Sequence, residues 1–451
     1  MNKRLPLVAA IAAALFFSGN CLADEHKNFP FKPIDASADS ADWDPTAPWI
    51  IPKGFTQTVV SDETDLNIYD GGRDDWHDMN TVNETGRMAG RYLYRTHEVR
   101  DQPEGGAVSV VDLRTGVTQL LAQNPSWNAV DGIRWTPWGT ILFAEEVYEG
   151  RLFEIILDKK NLMKAAAVID RPDVGRLAHE GIDIDSEGNI YVVDEHRGRT
   201  AGCDAVVPCG GGIYKFVPDN YADLSSGSLY ALKVDGADGV GQGEWVGPID
   251  PLHARESGSE FGAQSYQRPE DVEIIGDTLY VAITEGPRDA ETDPDAGELE
   301  FTSELYEGRV LAIDLNTMMV TNFVKPGVNV PVEIGRPGDE DFQTGFDSVD
   351  NLAEAPNGDL VMIEDNIPSD IWFASHKTNA FGASKKVKLF ASLTDPEAEG
   401  TGIYFSPFDP STLYVNVQHS AADDGDGTWA ISRKRGFHGG YDADFEDEDD
   451  K

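Results

Sequence analysis

Positive charge is what this chain most lacks. Its 451 residues include 36 lysines and arginines against 80 aspartates and glutamates, a formal net charge of −44. A chain of that sign repels phosphate backbones and anionic headgroups, which excludes nucleic acid and membrane as general partners. Long apolar runs are also missing, apart from LPLVAAIAAALFF near the start. That run is too short, and too promptly followed by polar sequence, to anchor in a bilayer. Lys3 and Arg4 precede it and the small residues of CLA close it, so residues 1–23 read as a Sec-type signal peptide cleaved after Ala23. There is no Arg-Arg pair that would indicate export in the folded state. The expected location is periplasmic or secreted. No Walker-type glycine loop, HExxH or GxSxG occurs, which leaves those mechanisms without support.

Cysteine is nearly absent too. Three occur in the whole chain, and only Cys203 and Cys209 remain after the signal peptide. They stand six apart in AGCDAVVPCGGG. In an oxidising compartment that spacing reads as a small loop disulfide. A zinc site would need further ligands, and His196 is the only histidine near.

With 40% apolar residues the chain can bury a large core. No amphipathic helical pattern interrupts it. Instead a unit recurs: an apolar strand, a turn bearing Gly or Pro, a second strand and a third. DGIRWTPWGTILFAEE precedes GRLFEIIL, and HEGIDIDSEGNIYVVDEH precedes GGIYKFVP. RPEDVEIIGDTLYVAITEG precedes GRVLAIDL, DSVDNLAEAPNGDLVMIEDN precedes SDIWFAS, and EGTGIYFSPFDPSTLYVNVQH precedes GTWAIS. A looser first copy joins GRMAGRYLYRTHE to GGAVSVVDL. VTQLLAQ, AAAVID and VTNFV supply fourth strands. Six such units predict an all-β, six-bladed β-propeller over residues 24–436, decorated by long loops at about 219–267 and 289–304. The acidic stretch 437–451 reads as a solvated tail.

Acids recur with the repeat. Second strands end on His97-Glu98, Glu145-Glu146, Asp194-Glu195, Thr284-Glu285, Glu364-Asp365 and Gln418-His419. First strands begin at Asp131, His179-Glu180, Arg268 with Glu270, Asp350-Asn351, and Glu399. Antiparallel neighbours bring the start of one strand beside the end of the next, so both sets face one mouth of the channel. Crowded carboxylates either protonate or bind hard cations such as calcium.

At these residues the chain resembles the PhoX alkaline phosphatases of bacteria, over roughly Tyr92 to Trp429. YRTHE is similar to that family's Asn-His-Glu segment, with Thr96 in place of Asn. TPWGT before a Glu-Glu pair, HEG, RPEDVE, SVDNL before IEDN, and TGIYFSP before VNVQH follow the family's order. The resemblance implies a six-bladed propeller that hydrolyses phosphate monoesters at a calcium and iron cluster. It implies Glu98, Glu145, Glu180, Glu270 and Asp350 as metal ligands, Arg268 as phosphate clamp, Asn351 as its polar partner, and His97 within the catalytic segment. Where the family has an iron-holding Cys, this chain has Ala144, which ligates nothing. The resemblance therefore carries calcium across and leaves iron without its thiolate. The expected partner is a small phosphorylated substrate, and the expected state a monomer. A lactonase-like metal-dependent propeller hydrolase and a calcium-stabilised binding protein without catalysis fit the same residues.

Overall fold

The computed structural model describes residues 29–69, 75–198, 208–285, 308–335, 338 and 342–434. Short runs of β-branched and aromatic residues form its strands. Ile141–Glu145 is typical: all five residues are buried, and the turn before it carries Gly139 at φ 86°. Such uninterrupted burial arises because each sheet is covered on both faces by its neighbours. The outer strands show the contrast. Asn161–Asp170 contains no buried residue, since it has solvent on one side.

The strands form six blades. Blade 1 runs from inner to outer strand as His77–Val82, Tyr92–His97, Ala107–Asp112 and Val117–Gln123. Blade 2 is Val130–Trp135, Ile141–Glu145, Leu152–Asp158 and Asn161–Asp170. Blade 3 is Ile182–Ile184, Ile190–Val193, Ile213–Asn220 and Asp223–Asp235, and blade 4 is Gln267–Ile275, Thr278–Glu285, Arg309–Asp314 and Met319–Val324. Blade 5 comprises Val349–Glu354, Leu360–Glu364, Asp370–Ala374 and Val387–Leu393, with Trp49–Ile50 added at its edge. Blade 6 comprises Glu399–Phe405, Thr412–Gln418 and Gly427–Arg433, and takes its outer strand, Phe55–Asp62, from near the other end of the chain. The inner strands touch in cyclic order and blade 6 meets blade 1, which closes the ring.

The core is a series of layers between blades. Phe29, Phe373, Phe390 and Phe405 pack between blades 5 and 6, and Trp127, Phe143 and Phe153 between blades 1 and 2. Burying side chains of this size stabilises by about 1.5–3 kcal/mol each.

One expectation fails. The stretch 219–267 is not a loop. Asp223–Asp235 is the outer strand of blade 3, and Gly241–Ile249 extends that sheet until Gly241 and Gln242 pair with Val320 and Met319 of blade 4. Ala254–Glu260 is a short α-helix. These strands are exposed on much of their surface and rich in Ser and Gly. Leu224, Leu229, Ala231, Leu232 and Val234 of Asp223–Asp235 are nevertheless buried in the core, and the Ser- and Gly-rich stretch between them obscures that pattern in the sequence. The excursion at 289–304, Cys203, the signal segment 1–23 and the tail 437–451 lie outside the described residues. Cys209 is disulfide-bonded. Among the described residues, no helix is long and apolar enough to cross a membrane.

Candidate active site

A repeated backbone clasp gathers the acids at one channel mouth. In four blades the N–H of an acid after the second strand donates to a carbonyl just before the inner strand: Glu98 to Trp76 (2.9 Å), and Glu146 to Ala129, Glu195 to Ala178 and Asp365 to Ser348 (2.8 Å each). Two residues after each of those carbonyls stands another acid: Asp78, Asp131, Glu180 or Asp350. Each clasp therefore sets two carboxylates side by side. Trp76, Ala129, Arg268 and Ser348 adopt φ of 48°, 48°, 50° and 42°, the left-handed region that side chains disfavour. That strain costs on the order of 1–3 kcal/mol per residue. In the blades of those four residues, 1, 2, 4 and 5, the inner strand slips register across the acid, between His77 and Asn80, Val130 and Ile133, Pro269 and Val272, and Val349 and Leu352. Such bulges re-aim a side chain out of the regular alternation. Gly132 and Gly181 follow two of the acids directly, and they let neighbouring inner strands touch. A Cβ on Gly132 would lie 1.8 Å from the carbonyl oxygen of Glu180. Gly181 donates its N–H to the carbonyl of Glu270 at 2.8 Å.

The side chains meet in two triads that share one member. Ligand oxygens of Asp131, Glu146 and Glu180 lie within 4.8 Å of one another, as do those of Glu180, Glu270 and Asp350. Two guanidinium groups border them. Arg268 Nε reaches Glu195 Oε1 at 2.7 Å and Glu270 Oε1 at 2.8 Å, and its Nη2 reaches Asp365 Oδ2 at 3.1 Å. Arg100 pairs with Glu98 and Glu146. Among the described residues Asp131, Glu180 and Asp350 make no ion pair, and Asp131 Oδ1 is buried without a hydrogen-bond partner. Burial, and then repulsion from the neighbouring carboxylates, pushes Asp78, Asp131, Glu146, Glu180, Asp350 and Glu399 well above the usual range. Burial also raises Glu270, although Arg268 opposes it. At Glu195 and Asp365 burial is outweighed by hydrogen bonds and by Arg268, and both carboxyls end up lowered. Hard oxygen donors at these separations fit a calcium-sized cation, whose ligands stand about 2.3–2.6 Å away. A soft-ligand iron site fits less well, because Ala144 is buried with Leu142, Leu152 and Leu177 and offers no donor atom.

The expected residues divide clearly. Glu98, Glu180, Glu270, Asp350 and Arg268 come together at the mouth. Asn351 lies beneath it, fully buried. Its Nδ2 donates to Asp350 Oδ1 (2.9 Å), and its Oδ1 accepts from the Gly402 N–H (2.5 Å). It orients Asp350 and ties blade 5 to blade 6. Glu145 and His97 must be corrected. Glu145 faces into blade 2, where Arg151 grips it through Nε (2.6 Å) and Nη2 (2.7 Å). Its neighbour Glu146 is the residue at the mouth. His97 likewise turns into blade 1, bonded to the Asp75 carbonyl (2.8 Å) and Ser109 Oγ (2.7 Å). Burial, and then Arg95, pushes its pKa down to about 3. Adjacent strand residues point to opposite faces, so Glu98 and Glu146 exclude their predecessors from the channel. Asp78 and Arg100 belong to the mouth and were not foreseen. The loose first copy of the repeat begins at Gly86 and so omits the inner strand His77–Val82. The doublet pattern itself could have found Asp78, since DDWHDMN places an acid where the other units have theirs.

Fold and mouth together define a six-bladed propeller with a candidate metal centre. The sequence model of the family described as alkaline phosphatase PhoX matches residues 164–421, and the chain belongs to that family of metal-dependent phosphatases. Among solved structures, Pseudomonas fluorescens PhoX in complex with vanadate, a transition state analogue, superposes with a TM-score of 0.60 at 17% identity, covering 89% of this chain and 98% of its own. The PQQ-bound aldose sugar dehydrogenase of Streptomyces coelicolor matches with a TM-score of 0.43 at 14% identity, over 85% of this chain and 99% of its own. No curated protein sequence matches the chain.

Proposed function

We propose that this chain is an exported phosphatase that hydrolyses small phosphate monoesters at calcium ions held by the channel-mouth carboxylates. The observation that carries the reading is the pair of triads sharing Glu180, set beside Arg268. Glu146, Asp131, Glu180, Glu270 and Asp350 would hold the cations, and Asn351 would keep Asp350 in place. Bound cations would neutralise phosphoryl oxygens and activate water, which phosphomonoester hydrolysis needs because its uncatalysed rate is so low. The protein's own groups do the rest. Glu195 and Glu270 hold Arg268 through Nε, which aims its Nη1/Nη2 edge outward. In the structure that edge meets Asp365 Oδ2 at 3.2 and 3.1 Å. A phosphoryl group presents two oxygens in the geometry this edge matches, and would displace Asp365 from it. Both triads come from one chain, which suits a monomer. The acidic surface and the signal-like segment 1–23 suit an extracytoplasmic setting.

The test is turnover of a phosphomonoester by purified protein after chelation and after calcium is restored. Activity should vanish and return. Arg268→Lys keeps the charge but removes the planar fork, so it should lower kcat/KM by about 10–100-fold while bound calcium stays unchanged. Hydrolysis of lactones in place of phosphomonoesters, or no hydrolysis under any metal, would sink the proposal.

A further inference from the structure

A second carboxylate cluster lies inside blade 5, away from the channel mouth. In blade 2, Ala144 pairs with Leu152, and the flanking residues Glu145 and Arg151 form the bidentate ion pair. In blade 5, Ile363 pairs with Ile371 in the same register, but the flanking residues are Glu364 and Asp370. Two acids occupy the places of an acid and its base. Both are fully buried. Glu364 Oε1 accepts from the Asp347 N–H (3.0 Å) and Trp372 Nε1 (2.9 Å), and Asp370 Oδ2 accepts from Ser37 Oγ (2.5 Å). The other oxygens, Glu364 Oε2 and Asp370 Oδ1, are buried with no hydrogen-bond partner. Glu333, on the segment that enters blade 5, brings a third carboxylate, and one oxygen from each residue lies within 4.8 Å of the others.

We propose that Glu333, Glu364 and Asp370 bind a hard divalent cation of the calcium class, which does in blade 5 what the Arg151 guanidinium does in blade 2. The size fits, because oxygens on opposite sides of a calcium ion stand about 5 Å apart. So does the chemistry, because two orphaned carboxylate oxygens in a dry interior demand a cation or a proton. Burial, and then Asp370, pushes Glu364 well above the usual range, and burial raises Asp370 to about 7. Bound here, the ion fastens three separate pieces together: the segment carrying Glu333, blade 5 and, through Ser37, the stretch of chain that precedes Trp49–Ile50. The site is independent of phosphatase chemistry.

Ion counting and terbium luminescence on the full chain test it. After dialysis against calcium, Asp370→Asn should carry about one ion fewer than wild type, with phosphomonoester turnover within about twofold because the sites are separate. The Trp372 indole touches Glu364, so it should sensitise terbium bound there. Trp372→Phe should lower that emission without lowering the calcium count. Equal calcium in wild type, Asp370→Asn and Glu364→Gln would overturn the proposal in favour of a shared proton. Should the acid variants fail to fold, unchanged terbium emission in Trp372→Phe would overturn it on its own.

Discussion

Glu145 and Glu146 are neighbours with the same chemistry and opposite circumstances. The first turns into blade 2 and is neutralised by Arg151. The second turns to the channel and joins Asp131 and Glu180, with Arg100 beside it. Blade 5 repeats the arrangement with one change: Asp365 faces the channel and meets Arg268, while Glu364 faces inward and meets Asp370. Position along the repeat thus decides which carboxylate serves the fold and which serves the site. A buried acid given a base becomes structure. A buried acid given more acids becomes a place for a cation.

The sharpest way to break the comparison is Glu146→Gln. Loss of one ligand charge at the shared cluster should cut kcat/KM about 100-fold or more and lower the ion count, since even supporting residues of metal sites are worth 10–100-fold. Its metal-free form should melt no lower than wild-type metal-free protein, because the substitution relieves repulsion. Arg151→Ala tests the other neighbour. It strands Glu145 in the blade, and should cost about 2–3 kcal/mol of stability after allowing for the partial exposure of Arg151, with metal content unchanged. If the two substitutions gave the same phenotype, the division of labour would be wrong.

The mildest test is pH. Seven mouth carboxyls have pKa values raised by burial and crowding. A carboxyl whose folded pKa exceeds its unfolded value of about 4 favours folding fully below that value, and loses this contribution as pH rises through the folded pKa. Chelated protein should therefore melt at progressively lower temperature between pH 5 and pH 8. Calcium-loaded protein should show a flatter profile, because the cation replaces the proton. A chelated protein that melts higher at pH 8 than at pH 5 would contradict the crowding.

Much of this was legible in the chain. Turns such as TPWG, SEGN and PNGD mark the hairpins, and acids recurring at the same point in each unit mark the mouth. Glu180, Glu270 and Asp350 were readable because each begins an inner strand with a clear apolar continuation. Asp78 lacked that cue, since HDMNTV has no apolar signature of its own, and only the recurrence of the acid in DDWHDMN pointed to it. The closing strand Phe55–Asp62 was also invisible. Its partner Gly427–Arg433 lies at the far end of the sequence, and the pairing is made by backbone groups that every residue carries.

By itself, then, the sequence determined the repeat, the all-β class and the presence of paired acids, because strand period and turn chemistry are local properties. Which member of each pair reaches the channel was decided only by the tertiary structure. That choice depends on where each second strand leaves the sheet: Glu145 and Glu364 still pair with Val130 and Val349, while Glu146 and Asp365 are clasped to the carbonyls of Ala129 and Ser348. It depends equally on what stands across the fold, where Arg151 waits for Glu145 and Asp370 for Glu364. A two-residue periodicity cannot survive a one-residue slip, so the parity of the doublets had no local signature to read.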